Sequence, residues 1–108
     1  MELKFTQEIK DNWLNALKSG NYIQGYRRLK TKYNENVTHY CCIGVLGNII
    51  PDLGSNIYIF LSKGIGSVAM DKLIELNDGQ CPECTNRLPN YKDDYSCVIP
   101  FIENLQIL

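Results

Sequence analysis

HYCCIGVLGNIIP, residues 39–51, carries the only histidine of the chain two positions ahead of two adjacent cysteines. Read as chemistry, His39, Cys41 and Cys42 are metal ligands, a Cys–His nucleophile or a redox pair. Read as architecture, Cys42, Val45, Leu46, Ile49 and Ile50 fall at i, i+3, i+4, i+7 and i+8, the apolar stripe of a helix buried on one face. Gly44 and Gly47 lie beside that stripe, where another element can approach closely, and Pro51 stops the helix. A nucleophilic cysteine also needs an oxyanion stabiliser and a residue that orients its histidine, and neither can be identified here. Reduced cysteine packs as a small hydrophobe. The stretch reads as core.

Outward from it, the hydrophobic period organises the chain. Thr6 to Ser19 is expected as a helix capped by Thr6, with Gln7 and Glu8 in its first turn and Lys18 then Gly20 at its exit. Ile9, Trp13, Ala16 and Leu17 share its inner face, and Trp13 is a core anchor. Between Gly20 and Tyr40 the period changes. YIQGYRRLKTKY (22–33) and NVTHY (36–40) are expected as two strands around the turn Asn34–Asn36, and NIYIF (56–60) as a third β-type run. A further helix is expected over Ser67 to Asn77, with Val68, Met70, Leu73, Ile74 and Leu76 largely inward and Asp78-Gly79 as its stop. The last helix lies near Asp94 to Leu105, capped by Asp93 or Asp94. Pro100 falls inside it, so that helix is either kinked or begins later. The expectation is α+β: one compact domain over residues 1–108, about four helices packed around a small antiparallel sheet.

Composition narrows the class. The 108 residues are 44% hydrophobic with a mean hydropathy of -0.22, the values of a globular protein. The start, MELKFTQEIK, has charges where a signal peptide needs an apolar core. The longest apolar stretch, Cys41 to Ile50, falls far short of the roughly 20 residues that span a bilayer. A cytoplasmic protein without membrane contact is expected, its five cysteines reduced. Net charge is -1, spread unevenly: residues 1–40 hold seven Lys/Arg against four Asp/Glu, and residues 41–108 four against eight. A nucleic-acid binder would be basic throughout, so the charge argues against that partner.

Four separated motifs then fall in a recognisable order: WLNALKSGNYIQGYRRL, HYCCIGVLGNI, LIELNDG and DYSCVIPFIENL. In this the chain resembles a family of small uncharacterised proteins encoded by tailed bacteriophages. The likeness covers nearly the whole chain. It implies a phage origin and a compact fold, but no mechanism or catalytic residue; with a phage origin, the expected cytoplasm is that of the host cell. Two departures stand out: the CPEC loop looks like an insertion, and Pro100 replaces an ordinary helical residue.

Of the remaining constellations, CPEC (81–84) is the strongest metal signal, because a Cys-x-x-Cys turn aims two thiolates at one ion. Cys81 and Cys84 are only half of a zinc ligand set, and the rest would come from His39, Cys41, Cys42 or Cys97. The alternative is a surface loop with two thiols, and no cofactor is expected. Residues 79–93 are in any case long for a loop in a compact domain. YIQGYRRLKTKY interleaves tyrosines with Arg27, Arg28, Lys30 and Lys32. Arginine forks bind phosphate and tyrosine rings stack on bases, so Tyr22, Gln24, Tyr26, Arg27 and Arg28 form the candidate ligand site. The competing reading is a solvated edge strand guarded by lysines. One histidine and no acid–base pair leave little for general catalysis, so a non-enzymatic binding protein is expected. Its partner is a small phosphorylated ligand, with a host protein as the alternative and a zinc-stabilised nucleic-acid module as the second. Self-association into a homo-oligomer is left open.

Overall fold

The computed structural model describes residues 4–24, 29–35, 37–77, 95 and 98–108. Helix α1 spans Gln7–Lys18. Thr6 is extended and its hydroxyl accepts the amide of Ile9 at 3.2 Å, which satisfies one of the donors a helix start leaves unpaired. At the other end Gly20 takes φ 80°, the left-handed turn that glycine adopts without steric cost. Trp13, Leu14 and Leu17 are buried. So is Lys10, whose ammonium donates to the carbonyls of Glu103 (3.1 Å) and Leu105 (2.9 Å). Its position on the same inner face, i, i+3, i+4, i+7 with the three apolar residues, is the one sign of this role in the sequence.

The sheet corrects the antiparallel expectation. It is mixed, with strand order β1-β3-β2: β1 (Ile23–Gln24) runs parallel to β3 (Val37–Tyr40), and β2 (Lys30–Asn34) runs antiparallel to it. What reads as one run over 22–33 is therefore two strands on opposite sides of β3. Alternation alone cannot reveal that split, because it reports the face of a residue and not its neighbour strand. Gln24 and Lys30 both register with Tyr40. The two ends of the segment joining them are thus held about 10 Å apart across the end of β3.

Helix α2 (Cys42–Ile49) follows directly. Cys42, Val45 and Leu46 are completely covered, with Ile49 and Ile50 partly buried, as the stripe predicts. Cys41 serves as the cap, its sulfur accepting the amide of Gly44 at 3.3 Å. At Gly44 the carbonyl of Leu29 lies where a Cβ would stand, so only glycine fits. Gly47 differs: a Cβ there would meet Ile57 at an ordinary 3.9 Å.

A 3-10 segment, Pro51–Asn56, leads into α3 (Ile57–Ile65). This overturns the β reading of NIYIF. Ile57, Phe60, Leu61, Gly64 and Ile65 are buried at i, i+3, i+4, i+7 and i+8. The helical period becomes visible only when the window runs past Phe60, and burial on that face overrides the β preference of the isoleucines. Helix α4 (Ser67–Asn77) buries Met70, Leu73 and Leu76, whereas Val68, expected inward, is 83% exposed. Ile74 also lies on the outer side. Helix α5 (Val98–Glu103) begins later than Asp94. Pro100 therefore sits in its first turn, where a missing N–H costs no helical hydrogen bond. The five α-helices among the described residues share one core centred on Trp13, Leu46, Leu61, Leu73, Val98 and Ile102. The molecule is mostly helical with a small sheet at one side.

Candidate functional site

Inside this core lies a polar hub. The side chain of Gln24 is fully buried. Its amide nitrogen donates to the Asn77 carbonyl (3.1 Å) and to Asn77 Oδ1 (3.3 Å), and its oxygen accepts the backbone N–H of Tyr95 (2.9 Å). Asn77 Oδ1 also accepts the N–H of Cys42 at 3.0 Å. Trp13 Nε1 donates to the Cys42 carbonyl at 2.8 Å. The Tyr95 hydroxyl donates to the Tyr40 carbonyl at 2.7 Å. One connected network thus fixes the ends of β1, β3 and α4 and the start of α2, so that buried polar groups are matched rather than stranded.

Tyr95 is the strained member. Its φ is 65°, uncommon for a bulky residue. Every polar group it has is engaged, since its carbonyl also accepts the amides of Val98 and Ile99, each at 3.0 Å. Surroundings that over-determine a residue in this way hold it in a sparsely populated conformation. Burial pushes the Tyr95 phenol well above the usual tyrosine range, and the neighbouring Cys42 and Cys41 add to it. The hydroxyl is therefore a fixed hydrogen-bond donor, not an acid.

At the outer edge of the hub the hydrogen-bonded Tyr40 presents its ring. Tyr22 meets it edge to face, with centroids 5.2 Å apart and planes at 87°. Asn48 Nδ2 donates to the Tyr22 hydroxyl at 2.7 Å. Lys30, exposed, stands directly opposite Tyr40 in β2 and so on the same face. An oriented aromatic pair with a cation beside it can cover a flat ring and meet an anion.

Of the expected ligand residues, Tyr22 is half-buried at this edge, while Tyr26, Arg27 and Arg28 lie outside the described residues. Gln24 leaves the set: with no exposed surface and both ends of its amide engaged in the hub, it supports the site without reaching a ligand. Nothing in the local sequence separates a buried glutamine from an exposed one. Tyr40, Asn48, Asn77 and Tyr95 were not anticipated. Asn77 reads in sequence only as the last residue of a helix stopped by Asp78-Gly79, and Tyr95 carries no local signal. Cys41 and Cys42 are both buried, in capping and core positions. The possible zinc ligands Cys81, Cys84 and Cys97 fall outside the described residues. Among the described residues no three His, Cys, Asp or Glu side chains are grouped to hold a metal.

The architecture and the hub define a mostly helical α+β domain with a small mixed sheet. The chain belongs to the family described as a domain of unknown function (DUF8296), whose profile matches residues 5–59, just over half of the chain. That span runs from Phe5 through the sheet and α2 into α3. It contains Trp13, Gln24, Tyr40 and Gly44, while Asn77 and Tyr95 lie beyond it. Comparison with curated proteins and with solved structures gives no match.

Proposed function

We propose that this is a small phage-encoded binding protein, acting in the host cytoplasm as an inhibitor of defence by sequestering a phosphate-bearing nucleotide messenger. The phage origin rests on the motif resemblance. The ligand class rests on one observation: the Tyr22–Tyr40 ring pair lies beside Lys30, and Gln24 and Lys30 both register with Tyr40. The tyrosines would cover base or ribose, and Arg27 or Arg28 would take the phosphate. A charge-assisted contact in a partly desolvated site is worth about 1.5–3 kcal/mol, so Arg27→Ala or Arg28→Ala should weaken binding roughly ten- to a hundredfold. Calorimetric titration of wild type and both variants with cyclic and linear nucleotides and a DNA control tests this. If no nucleotide binds, or both variants bind like wild type, the reading fails.

The second reading, a protein–protein inhibitor of a host enzyme, is favoured by the apolar side chains left in solvent on the helices, Ile59 at 59% and Val68 at 83% exposure. Exposed apolar surface of this kind suits a partner interface.

A further inference from the structure

At the Tyr22–Tyr40 edge the open hydrogen-bonding groups have a direction. The Tyr22 hydroxyl oxygen is occupied as an acceptor, because Asn48 Nδ2 donates to it at 2.7 Å. The phenolic proton is therefore left to be donated outward. Asn48, exposed in the last turn of α2, has spent one N–H on this bond. Its Oδ1 accepts no hydrogen bond among the described residues. A donor and an acceptor thus stand side by side at one end of the ring pair. Beyond Tyr40, on the other side of β3, Lys30 is exposed and forms no ion pair among the described residues. The order across the face is a hydrogen-bonding pair, two aromatic rings, then a cation.

We propose that Tyr22 and Asn48 read the edge of a nucleobase, so that a nucleotide lies across the sheet with its base at the α2 end and its phosphate at Lys30. This rests on the nucleotide reading above and adds to it a specificity-determining pair and an orientation. Bases are recognised by stacking on aromatic rings and by hydrogen bonds to their edges. An edge that carries an N–H beside an acceptor satisfies both open groups at once, the N–H on Asn48 Oδ1 and the acceptor on the Tyr22 hydroxyl. The reverse orientation is disfavoured by charge. It sets an ionised phosphate, which has acceptors only, against Asn48 Oδ1, and leaves Lys30 facing a neutral base.

The test is titration of the protein with adenosine, guanosine, cytidine and uridine and with their monophosphates, followed by NMR shifts so that weak binding is also read. Asn48→Ala should weaken a nucleoside and its monophosphate alike, roughly three- to tenfold, and leave the ratio of their affinities unchanged. Lys30→Ala should weaken the monophosphate alone, roughly three- to tenfold, and so shrink that ratio. In Asn48→Asp the carboxylate accepts the Tyr22 hydroxyl, which keeps the ring in place but uses up its outward proton. Nucleoside binding should therefore fall as it does in Asn48→Ala, whereas a residue that merely props Tyr22 would be rescued. Asn48 and Lys30 are both solvent-exposed, so the melting temperatures should not move. Unchanged nucleoside binding in Asn48→Ala, or full affinity in Asn48→Asp, overturns the base-edge role. A loss in Lys30→Ala that is as large for the nucleoside as for the monophosphate overturns the orientation. If wild type binds none of these nucleotides, the nucleotide reading falls and this inference falls with it; binding that ignores Asn48 sinks this inference alone.

Discussion

A single buried amide ties distant parts of this chain together. Gln24 joins Asn77 at the end of α4 to Tyr95 ahead of α5, positions far apart in sequence. Gln24→Leu keeps the volume but strands the Tyr95 N–H and loses a donor to Asn77. Chemical denaturation should show a loss of about 2–4 kcal/mol. Tyr95 makes a prediction in pH. Its phenol is held neutral in the folded chain, above the ordinary 10.0, whereas the unfolded chain ionises near that value. The stabilisation is therefore complete below about pH 10 and is lost as pH rises beyond it, by up to about 1.4 kcal/mol per pH unit. Tyr95→Phe should melt earlier at neutral pH, by the lost hydrogen bond to Tyr40. Above pH 10 its stability should then fall less steeply than that of wild type, which melting curves across the alkaline range will show. Neither residue was legible beforehand. Gln24 reads as a ligand contact because its partners arrive from 53 and 71 positions away.

At the scale of elements, the two glycines of α2 have opposite roles although they read alike. Gly44 faces the Leu29 carbonyl with no room for a Cβ, whereas Gly47 has ordinary space. Gly44→Ala should cost more than about 2 kcal/mol, because backbone and not a flexible side chain must move. Gly47→Ala should stabilise by about 0.5–1 kcal/mol through helix propensity, because a Cβ there meets Ile57 only at ordinary contact distance. Paired denaturation curves would check both, and equal effects would refute the close approach of Leu29. Helix α3 carries the complementary lesson. NIYIF looks extended because isoleucine and tyrosine favour strands, yet the buried positions continue at helical spacing to Ile65. A five-residue window holds too little of either period to decide.

For the whole molecule, Trp13 is where α1, α2 and the amino-terminal segment converge. Its ring meets Phe5 edge to face at 6.1 Å, and its indole N–H holds the Cys42 carbonyl. Trp13→Ala should cost about 3–5 kcal/mol, and wild-type fluorescence should be blue-shifted and poorly quenched by acrylamide. Cys42→Ser, which places a hydroxyl at a position with no solvent exposure, should cost about 1–3 kcal/mol. Sequence by itself determined the helices with long, regular stripes, the core role of Trp13 and of the Cys41–Cys42 pair, and the capping by Thr6. Each depends on residues within two or three turns of one another, and period and cap chemistry are local. Tertiary structure alone decided that β1 pairs in parallel with β3, that Lys10 is buried against the end of α5, and that Gln24 belongs to the interior. Those outcomes turn on which distant segment supplies a hydrogen-bond partner or covers a face, and in this chain the partners come together only when the core closes.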